Sequence, residues 1–249
     1  MKKGFFAFLI IPVAVLVLFT GCPSGGSSYF RLFHAADGAG AVDAYVDGVL
    51  QGTIAFKENS GYIKVDDGEH TVKVTAAGDP STVLFEATET FELEQSTGIP
   101  VYDPDEDLDP IGAPGSGFSI TGTDADLRAT DGALLRFGHL HFDVGTVEMR
   151  AGDYDADGIL LFSGVDFGDV TEYVEIDPGE YDLFVTVDGV AVVQIETVDV
   201  EEGDIVTALA IYDSTATGND VATLEIGAIF DNDDSIPFTP VEYELIIAP

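Results

Sequence analysis

One sequence pattern occurs twice in this 249-residue chain, and this internal repeat constrains the fold more than any other feature. The stretch RLFHAADGAGAVDAYVDG, which starts at Arg31, aligns with RFGHLHFDVGTVEMRAGD, which starts at Arg136. After a six-residue insertion in the second copy, IAFKENSGYIKVDDGEHTVKV aligns with VDFGDVTEYVEIDPGEYDLFV and places Tyr62 on Tyr173. A pattern that returns along a chain predicts two structural units of the same fold.

Short strand patterns separated by turn signals make up each copy. TVKVT and YDLFVTV are rich in β-branched and aromatic residues, and the turn sequences DDGEH and DPGEY come directly before them. Later runs such as VVQIETVDVE and DIVTALAIY are also strand-like, and we find no amphipathic helical window of useful length. The sequence predicts an all-β protein of two tandem Ig-like antiparallel β-sandwich domains. Pro100 is expected to interrupt a strand near Ile99.

Period-two alternation assigns the residues of the repeated motif to faces of strands. Arg31 and Phe33 share one face, and Leu32 and His34 share the other. In AVDAYVDG, one face carries Val42, Ala44 and Val46 and the opposite face carries Asp43, Tyr45 and Asp47. Asp47-Gly48 is a hairpin turn signal. We interpret the motif, including His34 and its counterpart His139, as structural: its role is to form the sandwich fold.

The N-terminus predicts export and a lipid anchor. MKKGFFAFLIIPVAVLVLFTGC has two Lys, then an apolar run of 15 residues, then small residues before the single Cys of the chain. This is the plan of a secretory signal peptide, and the run is shorter than the roughly 20 residues of a spanning helix. LFTGC resembles the bacterial lipobox, which implies cleavage before Cys22, lipid attachment to Cys22, and placement in the outer membrane or at the cell surface. The alternative is an ordinary signal peptide with an incidental Cys.

Charge restricts the classes of partner. The chain has 46 acidic and 9 basic residues, and two of the basic residues leave with the signal, so the mature net charge is −39. Such a surface repels phosphate backbones and argues against nucleic-acid binding. It favours cations, cationic partners or a saline environment, and this balance of residues resembles that of halophilic or marine proteins.

The predicted boundaries follow from these patterns. Residues 1–21 form the signal peptide, and 22–28 carry the lipid-anchor Cys and a flexible tether. The first sandwich covers 29–102. An acidic linker or long loop that completes the first domain covers 103–132. The second sandwich, with a C-terminal strand, covers 133–249.

The repeated unit resembles a known family. FHAADGAGAVDAYVDG, then IAFKENSGYIKV, then GEHTVKVTAAG are similar to prokaryotic extracytoplasmic domains described as domain of unknown function 4397. These domains typically occur in tandem on secreted proteins and lipoproteins. The resemblance covers residues 29 to 102 and 133 to 230. It implies the fold and no chemistry, because the family has no assigned activity.

One segment predicts a metal site. DYDADG places Asp153, Asp155 and Asp157 at alternate positions before a Gly, which is how a calcium loop arranges oxygen ligands. The competing explanation is chance in so acidic a chain. His139 and His141 would share a strand face, as a zinc or copper site needs, but the first copy has Ala at position 36. His70 is expected on an exposed strand with nothing to pair with.

No motif for catalysis is present, so we predict no catalytic residues and no enzyme. The leading hypothesis is a lipid-anchored envelope protein that acts as a structural, adhesive or ligand-presenting module. One alternative is a calcium-dependent adhesion module, and another is a hydrolase that uses loop carboxylates. The expected partners are the membrane, cations, and an extracellular protein or glycan.

Overall fold

The computed structural model describes residues 26–92, 94–101, 117–124, 132–152, 158–215, 224–232 and 238–246. Strands and turns account for these residues, and no helix occurs among them. The predicted all-β class is therefore confirmed. Within the same ranges, no helix has the length and hydrophobicity to cross a membrane.

In the described part of the first copy, eight strands form two four-stranded sheets. One sheet has the order β4-β1-β7-β8 and the other β3-β2-β5-β6. The strands are β1 (Ser27–Leu32), β2 (Val42–Val46), β3 (Val49–Ile54), β4 (Ile63–Asp66), β5 (Gly68–Ala76), β6 (Asp79–Phe91), β7 (Glu94–Val101) and β8 (Gly117–Asp124).

Among the residues of the second copy that the structure describes, ten strands form two five-stranded sheets. One sheet has the order β12-β9-β15-β16-β17 and the other β11-β10-β13-β14-β18. The strands are β9 (Ala133–Leu140), β10 (Val147–Ala151), β11 (Ile159–Val165), β12 (Val174–Ile176), β13 (Gly179–Val187), β14 (Val190–Val200), β15 (Ile205–Tyr212), β16 (Leu224–Phe230), β17 (Thr239–Pro240) and β18 (Glu244–Leu245).

The two copies share one topology. In each, the first strand pairs in parallel with the seventh, and the remaining pairings are antiparallel. Phe30 pairs with Ile63 in the first copy, as Leu135 pairs with Val174 in the second, so the strand registers agree with the alignment of the repeats. Strand β8 lies within residues 103–132 and is the edge strand beside β7. Strands β17 and β18 extend the second copy, one in each sheet.

The expected interruption at Pro100 is wrong. Strand β7 runs through Pro100, which pairs with Phe118 of β8. Strand β1 pairs with β7 only as far as Gly98, so Pro100 lies where β7 has a strand on one side only. A proline lacks a backbone donor and is tolerated where one side of a strand needs no hydrogen bond.

Each sandwich has its own apolar core. In the first copy, Phe30 and Leu32 of one sheet pack against Val42, Ala44 and Val46 of the other, which confirms the predicted face of β2. In the second copy, the core lies between the corresponding sheets and includes residues such as Phe137, Met149, Leu183 and Ile226.

A third apolar cluster joins the two sandwiches. It includes Phe33 and Ile99 of the first copy and Leu209, Ile229 and Phe238 of the second. The sheets that contain β1 and β9 therefore face each other, and both are covered on their two faces. For this reason every residue of β9 is buried, although its sequence ALLRFGHL includes Arg and His.

Gly227 provides a test of packing at this interface. A Cβ atom there would lie 2.3 Å from Cζ of Phe238, whereas a Cβ atom at Gly52 would have no heavy atom within 4 Å. We expect Gly227→Ala to lower the free energy of unfolding by about 1–3 kcal/mol, because overpacking displaces Phe238. Gly52→Ala is the control and should cause no loss. Urea unfolding measures both, and equal stability of the two variants would contradict this packing.

Candidate functional site

The motif His of the first copy fixes a loop that crosses between sheets. His34 is fully buried just beyond β1, and the loop that follows leads to β2 in the opposite sheet. Its Nε2 donates to the Gly40 carbonyl oxygen at 2.6 Å, and its Nδ1 accepts from the Ala36 backbone N–H at 3.2 Å. This pair of contacts requires the neutral imidazole. Burial lowers the pKa of His34, which favours that form.

His139 has the same place in the second copy. Its Nε2 lies 3.1 Å from the carbonyl oxygens of both Val144 and Gly145, across the corresponding loop. Burial lowers the pKa of His139 as well. His141 makes ring contacts with Phe142 and Tyr212. The two copies therefore use one His in the same way, to close a sheet-to-sheet crossing.

The Asp residues of the motif stabilise turns. Asp43 accepts from the Thr53 hydroxyl at 2.6 Å and from the Gly78 backbone N–H at 2.8 Å, and these bonds lower its pKa. Asp47 and Gly48 have φ angles of 50° and 75° and form the two-residue hairpin between β2 and β3. Positive φ at both central residues matches the twist of a hairpin. The Lys73 ammonium lies 5.6 Å from the ring centroid of Tyr45 on the neighbouring strand.

His70 has a partner, so the expectation that nothing pairs with it is wrong. Its Nδ1 lies 2.7 Å from Oδ2 of Asp47, and its Nε2 lies 2.6 Å from the Asp66 carbonyl oxygen. Both ring nitrogens face acceptors, which is the arrangement of an imidazolium. Partial burial opposes the charge, but the hydrogen bonds to Asp47 and Asp66 outweigh it and raise the pKa of His70. The hydrogen bonds from His70 and Thr71 lower the pKa of Asp47.

A buried polar cluster lies between the two copies. Arg31 reaches from β1 into the second copy, where its Nη2 forms an ion pair with Asp231 and its Nη1 donates to the Phe230 carbonyl oxygen at 3.2 Å. Its Nε donates to the Thr97 hydroxyl at 2.9 Å in the neighbouring strand. The guanidinium carbon lies 4.8 Å from the ring centroid of Tyr62, whose hydroxyl donates to the Asp231 carbonyl oxygen at 2.9 Å.

Arg136 repeats this arrangement from the other side. Its Nε donates to the Thr207 hydroxyl at 2.6 Å, and its guanidinium carbon lies 4.4 Å from the ring centroid of Tyr173. Its Nη2 lies 3.5 Å from the Asp231 carboxylate, which also accepts from the Tyr173 and Thr207 hydroxyls at 2.5 Å each. Burial and the adjacent Asp231 charge raise the pKa of Tyr173, which keeps this phenol protonated.

Each copy contributes one arginine to the cluster, whereas the carboxylate of Asp231 comes from the second copy. By strand register, Thr123 has the position in the first copy that Asp231 has in the second. One carboxylate therefore serves two guanidinium groups. Arg31, Arg136 and Asp231 are 0%, 1% and 2% exposed, so this cluster is closed to ligands and can act only on the joining of the two copies.

A second set of ion pairs lies nearer the surface of the same interface. The Lys57 ammonium is 2.5 Å from Oδ2 of Asp213 and also pairs with Glu225. The Ser214 backbone N–H donates to Asp37 at 2.8 Å. Three of the seven basic residues that follow Cys22 thus lie between the copies, and each faces carboxylates of the second copy.

The accessible site of the second copy is a cavity between its two sheets. It has a volume of about 540 Å³, which lies within the usual range for sites that bind small molecules. Its walls come from β9, β15 and β16 on one side and from β13 and β14 on the other, and they are mainly aliphatic. We call this space the second-copy cavity.

A family model described as domain of unknown function (DUF4397) matches residues 28–150 and again residues 133–237. The chain belongs to this family. The first match covers the first sandwich and continues through β9 into β10, and the second match covers β9 to β16, so the chain carries two DUF4397 domains in tandem. A search of curated proteins gave no match. The family description names no activity, and function therefore has to be argued from sites.

Two predicted sites lie outside the described residues. They are the lipid attachment site at Cys22 and the calcium ligands Asp153, Asp155 and Asp157. Both stay predictions. Within the described ranges of the two DUF4397 domains, no group of three His, Cys, Asp or Glu side chains is placed to hold a metal ion.

The cluster between the DUF4397 domains was not predicted from the sequence. No predicted site includes the acidic run DNDD, yet the first residue of that run is the buried Asp231. A signal was available, because Arg31 and Arg136 recur at one motif position in a chain with few basic residues. A repeated buried Arg needs a carboxylate, but nothing local in the sequence shows which of 46 acids supplies it.

The Asp47–His70 pair of the first DUF4397 domain predicts a pH dependence of stability. Because the pKa of His70 is raised, its contribution is complete below about pH 6.5 and is lost as the pH rises through the raised value. The contribution of Asp47 is present above about pH 4 and is lost as the pH falls through its lowered pKa. We expect the melting temperature advantage of wild type over His70→Gln to shrink between pH 6 and pH 8.

The quantity to measure is the difference in melting temperature between wild type and His70→Gln. His34 and His139, with lowered pKa values, act in the opposite sense and cancel in this comparison. An advantage of wild type that is constant from pH 5 to pH 8 would contradict the charged pair.

Proposed function

We propose that this chain is a lipid-anchored, non-catalytic module of the cell envelope, in which two DUF4397 domains form one unit that presents a ligand-binding surface. The observation that carries the proposal is the buried cluster of Arg31, Asp231 and Arg136 between the domains. A flexible pair of domains would expose these groups to water and has no need of such a cluster.

The charges of the cluster favour the joined arrangement of the domains. Two buried guanidinium groups and one carboxylate carry a net positive charge. Removing an uncompensated charge from water is costly. The surrounding chain is strongly acidic, and its field favours positive charge at the centre. Hydrogen bonds from Arg31 and Arg136 to Thr97, Thr207 and the Phe230 carbonyl satisfy further donors. Separation of the domains would leave Arg31 without its carboxylate, because Asp231 belongs to the second domain, as Arg136 does.

The non-catalytic part of the proposal is supported by how the titratable groups are used. His34 and His139 hold loops, Asp43 and Asp47 hold turns, and Asp231 joins the domains. A catalytic acid or base needs access to substrate. In the described part of the chain, the groups with displaced pKa values have internal partners instead.

The joining of the domains can be measured as a distance distribution. In the protein starting at residue 23, spin labels at Val49→Cys and Val190→Cys, which are 62% and 43% exposed, report one domain each. We expect a single narrow distribution. Asp231→Ala should broaden it, because loss of a buried partner costs about 3–5 kcal/mol. Glu202→Ala removes an exposed carboxylate of the same domain and is the control. A broad distribution in the labelled parent would overturn the single-unit proposal.

Anchoring requires a separate experiment with the full chain produced in bacteria. We expect the protein to sediment with membranes and Cys22→Ala to release it, because the acyl chains at that residue supply the membrane affinity. Ser24→Ala is the matched control and should sediment as the parent does. Membrane association that survives Cys22→Ala would show that the thiol is not the anchor.

A further inference from the structure

At two positions that line the second-copy cavity, the first copy has larger, aromatic residues. Phe30 and Phe91 close the end of the first sandwich, with ring centroids 5.5 Å apart. By strand register, the corresponding residues of the second copy are Leu135 and Val200, and both line the cavity. The two domains thus differ in side-chain volume at this end of the core.

A bulge beside the cavity is also specific to the second copy. Tyr181 pairs with Val198 and Leu183 pairs with Ile195, so β14 contains one extra residue there. The corresponding stretch of β5 and β6 is paired without a shift. Thr197 lines the cavity at this bulge with a φ of 57°, which a β-branched residue rarely adopts. Bulges bend a strand and are common beside binding sites.

The charge around the cavity has one sign. Six carboxylates belong to its lining, and no Lys, Arg or His does. None of the six has an ion pair with a basic side chain of the described residues. They are Glu175, Asp177, Glu196, Asp199, Asp204 and Glu242.

These charges decide which class of molecule fits. The aliphatic walls favour an apolar chain, because burial removes its surface from water. The carboxylates favour a positive charge at the end of that chain and repel sulfate, phosphate or carboxylate groups. Tyr181 belongs to the lining, and the face of an aromatic ring attracts an ammonium group.

We propose that the second-copy cavity binds a cationic amphiphile, with its alkyl chain between the two sheets and its ammonium head among the carboxylates. This inference rests on the ligand-presenting role proposed above and names its ligand class. It is tested by binding alone, whereas the distance measurement tests the joining of the domains, so failure of one is distinguishable from failure of the other.

The experiment is calorimetric titration of residues 23–249 with dodecyltrimethylammonium below its micelle concentration, at fixed ionic strength. Dodecyl maltoside and dodecyl sulfate, with the same chain and neutral or anionic heads, are the comparison ligands. We expect saturable binding of the cationic probe with one site per chain and a rise in melting temperature. Equal affinity for the neutral or the anionic probe would overturn the assignment, as would absence of binding.

Filling the cavity separates this site from general attraction to an acidic surface. Val200→Phe introduces the residue that the first copy has at this position and should weaken binding at least about tenfold, a loss of roughly 1.4 kcal/mol. Val190→Phe adds the same ring at the far end of the β13–β14 hairpin and should bind as the parent does. Leu135→Phe is the second filling variant in case Val200→Phe does not fold. Equal affinity of filled and control variants would overturn the proposal.

The charge requirement has its own pair of variants. Glu175→Gln with Asp177→Asn should lower the affinity for the cationic probe about three- to tenfold, because each exposed carboxylate contributes up to about 1 kcal/mol. Glu86→Gln with Glu92→Gln removes the same charge from exposed positions of the first domain and should have no effect. Equal losses in the two double variants would mean that net charge, rather than this site, attracts the probe.

Discussion

The arrangement of the two domains depends on one carboxylate between two buried arginines. Asp231 lies where the facing sheets meet, and Arg31 and Arg136 approach it from opposite sides. Each arginine is held by a threonine on the next strand and covered by a tyrosine ring, so the repeat has supplied the same setting twice. Removing one partner of a buried ion pair costs much more free energy than formation of the pair contributes to stability. Such a cluster therefore specifies the arrangement of the domains more than it stabilises the fold.

The acidity of the chain has a direct relation to this cluster. In most proteins, two arginines sharing one acid would leave an unbalanced positive charge in the interior. Here the surface is strongly negative, and three of the few basic residues are placed between the domains. Lys57, with Asp213 and Glu225, extends the same principle toward solvent. Positive charge is thus placed where it joins the domains, and the exposed surface stays acidic.

The two DUF4397 domains share a frame but differ in use. In the first, aromatic rings fill the end of the sandwich, and its third strand begins at an Asp-Gly hairpin. In the second, smaller residues and a bulged strand leave an open space lined by carboxylates. The two domains therefore differ in two ways at this end of the core: Leu135 and Val200 are smaller than Phe30 and Phe91, and the bulge in β14 shifts the strand register by one residue.

The sequence by itself determined the features that depend on neighbours along the chain. These include the all-β class, the repeat, the inward face of β2 and the Asp47-Gly48 hairpin, since alternation and turn chemistry are local. Only the tertiary structure decided the features that depend on distant segments. Pro100 is tolerated because β1 has already ended, the pKa of His70 is raised because the fold brings Asp47 to it, and Asp231 is buried because two sheets meet over it. Local patterns carry no record of which acid among 46 will face an arginine 200 residues away.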